Sequence, residues 1–377
     1  MPDAPLEIAA AAPVRPPLGA VLDAVARRQA QGFDAVWWAD HLLHWFPASI
    51  WTPDLVPQAA GQPSPHVWCD PFAVAAAAAG RADRIRFGVG VTDMVRRHPA
   101  ALAQTALTLD HVTGGRFILG VGTGEALNID ALGLDNRRPL ARLREGIDVM
   151  RLLFSTADEV DFDGEFFTLR GAAVGLRPVG DRPPPVWVAA HRPEGLRLAG
   201  RSADGWLPLC TDPAAYARMW DAVRDAAGAA GREAPTPGLY TRVVLAEDDE
   251  RARRAAVGSL LLRFIALTAA AEAFEAHGAV HPLGAGVFGL TTFRPTGLGR
   301  AEALELAEAV PEEVVADTVI AGTPSTVARR LAALVEAGAR HVQVVNMTPL
   351  ASAGLAPAGE ALLGEALAEL RLLAAAP

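Results

Sequence analysis

From Leu18 onward the sequence alternates amphipathic helical stretches with short apolar runs, and this alternation constrains the fold more than any other feature of the chain. Leu18 to Gln31 carries Val21, Leu22 and Val25 among polar positions and closes on Gly32, which predicts a helix and its stop. Phe33 to Ala39 then reads as a buried strand. Pro71 opens an alanine-rich helix to Gly80, and RIRFGVGVT from Arg84 to Thr92 gives a second strand. Pro99 to His111 is helical, Gly114 and Gly115 break it, and RFILGVGTGE from Arg116 to Glu125 reads as a strand with a glycine-rich turn.

The rhythm continues with a helix from about Arg137 to Phe154. A hairpin over Val160 to Leu169 turns at Asp163 and Gly164, and PPPVWVAA gives a strand ending near Ala190. Helices over Glu194 to Gly200 and Pro213 to Ala230 alternate with strands over Gly205 to Leu209 and Gly238 to Ala246. A turn and N-cap at Gly322 to Ser325 start a helix to Ala337, and the last strand spans His341 to Met347. Residues 42–70 and 251–310, approximately, interrupt the pattern and read as insertions. The whole predicts one α/β domain over residues 1–377, a closed (β/α)8 TIM barrel with insertions. An open doubly wound sheet is the competing arrangement, but no GxGxxG follows the first strand.

Composition narrows the function. With 51% hydrophobic residues over 377 positions the chain can bury a substantial core. A net charge of −9 argues against nucleic acid or an anionic membrane as the main partner and favours a small-molecule substrate. All 34 basic residues are arginine, so a Schiff-base lysine, a lysine-held pyridoxal phosphate and a Walker loop are excluded. Cys69 and Cys210 lie in no CxxC pattern, so a reducing cytoplasm is the expected compartment. No apolar stretch is long enough to insert in a bilayer.

In a barrel of this kind, residues just after the strands converge on one face. Asp40 and His41 follow one strand, Thr92 ends the next, and Glu125 follows the third. An imidazole, a carboxylate and hydroxyl or backbone groups at one mouth suit hydride or proton chemistry at a carbonyl. Each residue also has a plain structural reading: Asp40 as an N-cap or ion-pair partner, His41 as a satisfied histidine. The glycines of GVGTGE, from Gly120 to Glu125, either admit a phosphate or ring close to the backbone or simply form a tight turn. His191, Arg192, Glu194 and Gly195 precede or begin a helix, where free amides and an arginine can hold a phosphate or serve as ordinary capping. His41 with His44, and His277 with His281, lack the Cys or HExxH context of a metal site, so no metal is expected. The first insertion carries Trp45, Phe46, Ile50, Trp51 and Trp68, which either wall an apolar substrate pocket or pack on the barrel rim.

Taken together, ADHLLHW, GVGVTDMVRRHPAALAQTALTLDHVTGGRFILGVGTGEALN and VWVAAHRPEGLRLAGRSADGW resemble the luciferase-like flavin and deazaflavin oxidoreductases, over about Gly32 to Met347. The DH pair with its nearby Trp, and the TGEALN run, resemble the branch that uses the deazaflavin coenzyme F420, with FMN as the alternative coenzyme of the superfamily. The resemblance implies a luciferase-like TIM barrel, a homodimer, and specific roles. Asp40 would contact the coenzyme, His41 would exchange a proton with the substrate oxygen, Trp45 would support the charged transition state, and Glu125 would manage a proton at the ring. Thr92, Thr123, Gly124 and Asn128 match coenzyme-binding positions, and a non-proline cis peptide would fall near Val89 and Gly90. His191 and Arg192 stand where relatives carry small residues. The lysines that grip sugar phosphate in F420-dependent glucose-6-phosphate dehydrogenases have no counterpart in a chain without lysine. ADHLLHWFPASIWTP, with SPH at Ser64 to His66 and DPF at Asp70 to Phe72, resembles phthiodiolone-type ketoreductases more closely, which implies hydride transfer to an apolar ketone.

Overall fold

A computed structural model describes residues 5–375. Its strands, in chain order, are β1 (Glu7–Ala11), β2 (Ala35–Trp38), β3 (Arg86–Asp93), β4 (Phe117–Gly122), β5 (Val160–Asp163), β6 (Thr168–Ala172), β7 (Val186–Val188), β8 (Gly205–Trp206), β9 (Thr236–Leu245), β10 (Ile320–Gly322) and β11 (His341–Asn346). Eight of them pair in parallel in the order β1, β2, β3, β4, β7, β8, β9, β11 and back to β1, which closes the barrel. The short β10 lies outside this ring, against the end of β9.

Alternation along the strands separates two cores. Ile8, Val36, Trp38, Phe87, Leu119, Val243 and Val344 face the surrounding helices. Ala9, Ala35, Trp37, Ile118, Trp187, Leu207 and Tyr240 fill the barrel itself. Trp37 and Trp187 fit only because glycines face them. A Cβ on Gly88 would lie 2.3 Å from Trp37 Cδ2, and one on Gly205 would lie 2.2 Å from Trp187 Cδ2. Below them, Trp37 Nε1 donates to His341 Nε2 at 2.9 Å, which leaves the imidazole proton on Nδ1, 2.7 Å from Glu7 Oε2. Arg86 completes this polar plug, 3.2 Å from the same carboxylate oxygen.

Most expected elements lie within a few residues of their observed bounds. β1 went unread because EIAAA offers a strand almost no branched or aromatic side chain. The hairpin turn is longer than Asp163 and Gly164: Phe162 pairs with Leu169 and Asp163 with Thr168, and Gly164 N donates to Phe167 O at 3.0 Å. The cause is remote in sequence. Glu145, on the helix Pro139–Ser155, accepts the backbone N–H groups of Glu165, Phe166 and Phe167.

The two insertions pack against each other. Phe46, Ile50, Trp51 and Val56 of the first share a buried cluster with Leu261, Leu262, Phe264, Ile265, Phe274 and Phe293 of the second. Arg300 ties the pair further, through an ion pair to Asp54 and a 3.2 Å hydrogen bond to Thr52 Oγ1. Phe46, Ile50 and Trp51 are therefore packing residues, and of the five aromatic and aliphatic candidates only Trp45 and Trp68 keep partial exposure.

Candidate active site

β2 ends at Trp38, and two residues later Asp40 sits 4% exposed in a cationic clamp. Arg97 Nε and Nη2 approach its carboxylate at 3.0 and 3.2 Å, the Thr92 hydroxyl donates at 2.6 Å, and Arg96 Nη2 lies 3.3 Å away. Asp93 aims the arginines: its Oδ1 accepts the N–H of Val95 and Arg96, and its Oδ2 the Arg96 Nε at 2.6 Å. Arg97 also reaches Asp70, the N-cap of helix Pro71–Ala78. Burial pushes the Asp40 carboxyl up, but the hydrogen bond from Arg97, the charge of Arg96 and the Thr92 hydroxyl outweigh it and hold the group below the ordinary carboxylate range.

His41, half-buried, is held by Asn128. Asn128 Oδ1 accepts the backbone N–H of Leu42 and Leu43 at 2.8 and 2.9 Å, so its amide nitrogen faces His41 Nδ1 at 2.8 Å. Neutral His41 then carries its proton on Nε2. Glu125 Oε2 lies 3.5 Å from His41 Nδ1 and accepts from Asn128 Nδ2 at 3.4 Å, so a carboxylate stands beside the imidazole. The rings of Trp45 and Trp68 flank His41, with centroids 5.2 and 5.0 Å away.

Gly124 (φ +80°) turns the chain between β4 and Glu125, where a Cβ would lie 2.3 Å from Ile129 Cδ1. Thr123 is half-buried beside it, and its carbonyl accepts from Asn136. The non-proline cis bond lies between Gly90 and Val91, one bond beyond the Val89–Gly90 expectation. Val89 is fully buried toward the helices, whereas Val91 is half-buried and faces Gly120 and Gly122 across β4.

His191, after β7, accepts the Leu209 N–H on Nε2 at 2.8 Å. Burial, with the nearby charge of Arg242, pushes its pKa down to about 4. Arg192 turns away to the second insertion, 3.6 Å from Glu272 and stacked over Phe288. Glu194 is exposed in the first turn of helix Pro193–Ser202, and Gly195 lets that helix approach Ala190 closely. The fold thus gathers Asp40, His41, Trp45, Thr92, Glu125 and Asn128 through direct side-chain contacts, with Thr123, Gly124 and His191 at the neighbouring strand ends. It leaves Arg192 and Glu194 on the exposed rim. Arg96, Arg97 and Arg242 went unnoticed in the sequence; a lone arginine inside LYTRVVLA was the available signal for the last.

Residues 4–341 match the luciferase-like monooxygenase family. The chain belongs to that family. Among curated proteins, this luciferase-like chain is 34% identical over 337 residues to the phthiodiolone/phenolphthiodiolone dimycocerosates ketoreductase of Mycobacterium bovis, covering 88% of each chain. It is 31% identical over 336 residues to the F420-dependent glucose-6-phosphate dehydrogenase of Kineococcus radiotolerans, covering 86% of each. Its fold matches an F420-dependent secondary alcohol dehydrogenase with a TM-score of 0.73 at 21% identity, over 97% of this chain and 99% of that one. The F420-dependent tetrahydromethanopterin reductase of Methanopyrus kandleri matches with a TM-score of 0.71 at 20% identity, over 98% of both.

Proposed function

We propose that this luciferase-like barrel is an F420-dependent oxidoreductase that interconverts a carbonyl and an alcohol, acting as a ketoreductase on an apolar ketone. The observation that carries the reading is the His41–Asn128–Glu125 arrangement at the end of β2 and β4. Relatives above 30% identity named as a ketoreductase and as an F420-dependent dehydrogenase support it. Bound F420 would supply a ring carbon that gives or takes a hydride. The residues present fit such a group: Gly90, Val91, Thr123, Gly124 and Glu125 are half-exposed along one wall, and Arg242 Nε and Trp45 Nε1 are buried donors without an acceptor among the described residues. Thr92, Asp40 and Asn128 would fix that wall, and His191 with the start of helix Pro193–Ser202 would receive the coenzyme's phosphate.

His41 performs the proton chemistry. With Nδ1 accepting from Asn128, Nε2–H polarises the substrate carbonyl and faces the nascent alkoxide, and the Glu125 carboxylate, 3.5 Å from Nδ1, supplies the negative charge that favours proton delivery from the ring. In the oxidising direction the same nitrogen takes that proton back. Trp45, edge-on to His41, limits water at the reacting oxygen. Exposed Leu42 and half-exposed Trp68 favour an apolar substrate over a sugar phosphate. The same reading makes the enzyme a cytoplasmic homodimer, resting on its two free cysteines for the compartment and on family resemblance for the dimer.

The test is a visible-absorbance titration with F420 and with FMN, followed by turnover on apolar ketones and on sugar phosphates. Tight F420 binding with ketone reduction is expected. FMN binding with oxygen consumption would establish the monooxygenase alternative, and preference for glucose 6-phosphate the dehydrogenase one. Tight coenzyme binding without turnover on either panel would leave a non-catalytic coenzyme carrier.

A further inference from the structure

Arg242 is the anomaly of the barrel interior. It is 3% exposed, its Nε is fully buried without an acceptor, and among the described residues its guanidinium has no hydrogen-bond or ion-pair partner. The other heavily buried cation of the mouth, Arg96, is matched by Asp93 and Asp40. An arginine cannot discard its charge by deprotonation, so an unmatched one in this setting is a cost that a ligand removes.

Its place in the fold says where that ligand lies. On β9, Gly238, Tyr240 and Arg242 share the inward face: a Cβ on Gly238 would meet Trp187, and Tyr240 packs with Trp37 and Trp187 in the interior core. Arg242 is one step nearer the mouth, directly above that aromatic floor. Its guanidinium carbon lies 5.9 Å from the Trp45 ring centroid and 5.7 Å from that of Tyr240. Trp45 in turn touches His41. On the adjoining β11, Gln343 faces inward two residues beyond His341, 3% exposed, with Oε1 buried and without a donor among the described residues. Two unmatched polar groups on neighbouring strands, one cationic, thus face inward, Gln343 level with Tyr240 and Arg242 one step nearer the mouth beside Trp45.

We propose that Arg242, with Gln343 beside it, is a receptor for a negatively charged ligand oxygen at the deep end of the active site. The inference rests on the coenzyme-dependent reading above. With an apolar ketone as substrate, the oxygen is one on the coenzyme ring that carries negative charge; with a substrate that brings its own anionic group, that group supplies it. Gln343 Oε1 accepts from an adjacent N–H or O–H of the same ligand.

The experiment compares the wild type with Arg242→Met and Arg242→Lys. F420 affinity is read by fluorescence titration, KM by turnover on a methyl ketone and the keto acid of equal length, and the melting temperature is taken without coenzyme. Arg242→Met should weaken F420 by at least about tenfold if the ring is the source, the loss expected for a charge-assisted hydrogen bond. If the substrate is the source, F420 affinity holds and the wild type's preference for the keto acid falls by about the same factor. Arg242→Lys, which keeps the charge, should preserve the larger part of the affinity or preference that Arg242→Met loses. The coenzyme-free melting temperature of Arg242→Met should equal or exceed that of the wild type, because an uncompensated charge has gone. Unchanged F420 affinity and unchanged keto-acid preference would overturn the proposal, as would a fall of several degrees in the coenzyme-free protein. Failure of the wild type to bind F420 would sink the functional reading alone, and the same comparison with FMN would then decide the role of Arg242.

Discussion

Asn128 holds His41 by Nδ1, at 2.8 Å, with an amide whose own orientation is fixed by the backbone N–H groups of Leu42 and Leu43. One side chain from β4's loop therefore sets both the ring tautomer and the path of the chain after β2. Asn128→Ala should lower kcat by about tenfold to a hundredfold, the range typical for groups that orient a functional imidazole, with a smaller change in KM. Asn128→Asp offers the same backbone acceptor but presents a carboxylate to Nδ1, which favours the cationic ring. Its pH–rate profile for ketone reduction should extend to higher pH than that of the wild type. Equal kcat in Asn128→Ala would show that His41 needs no such support.

The Asp40 clamp joins β2, β3 and helix Pro71–Ala78 through Arg96, Arg97 and Asp70. Asp40→Asn removes the charge that both arginines face and should cost about 3–5 kcal/mol of stability, as for a buried pair broken from one side. The pH sense follows from the direction of the shift: the folded carboxyl titrates below its unfolded value, so its contribution is complete above about pH 4 and is lost as pH falls further. Urea denaturation of both proteins at pH 7 and pH 3.5 checks this. The difference between them should shrink at the lower pH.

Acid sensitivity should begin earlier, from histidine. Burial holds His44, His66, His191, His281 and His341 below the ordinary imidazole value, His44 well below it and His191 at about 4. The unfolded chain takes up protons below about pH 6.5 that the folded one refuses, so stability falls as pH drops through that window. Each such group contributes up to about 1.4 kcal/mol per pH unit. His44 stacks on Phe46 with ring centroids 3.8 Å apart and leaves Nδ1 without a partner among the described residues, so His44→Phe keeps the stack and discards a proton-binding site. Denaturation midpoints between pH 7.5 and 5.5 should show a shallower slope for the variant; parallel slopes would remove His44 from the account.

The barrel was legible because its outer strands are runs of Val, Ile, Phe and Trp between helices of clear period. β1 was not, since alanine carries no strand signal of its own and β1 exists through its pairing with β2 and β11. In the proposed site, Asp40, His41, Glu125 and Asn128 are nominated by position and resemblance, and the fold brings them to one end of the barrel. The arginine partners of Asp40 could not be assigned, because two adjacent arginines read as a solvated surface until the Asp93 turn directs them inward. Arg242 was hidden for the opposite reason: a strand this apolar draws attention to its hydrophobes.

The packed insertions separate stability from substrate choice. Phe46 is fully buried in the cluster shared with Leu262 and Phe264, while Trp68 is partly exposed with its ring 5.0 Å from that of His41. Phe46→Ala opens a cavity between the two insertions and should cost about 3–5 kcal/mol. Its ring stacks on His44 and Trp51, neither of which is proposed to face substrate, so the ratio of kcat/KM for an apolar ketone to that for a sugar phosphate should hold even as the stability falls. Trp68→Ala removes an apolar surface next to His41, the proposed proton-transfer residue, and also the ring under Arg15. It should lower the ketone's kcat/KM by about tenfold while leaving the sugar phosphate's unchanged, in line with the few kcal/mol that burial of apolar ligand surface contributes. Competition assays with both substrates in one vessel give the ratio directly. A ratio that moves in Phe46→Ala and stays fixed in Trp68→Ala would reverse the assignment and make the buried seam between the insertions, rather than the exposed aromatic edge, the element that selects substrate.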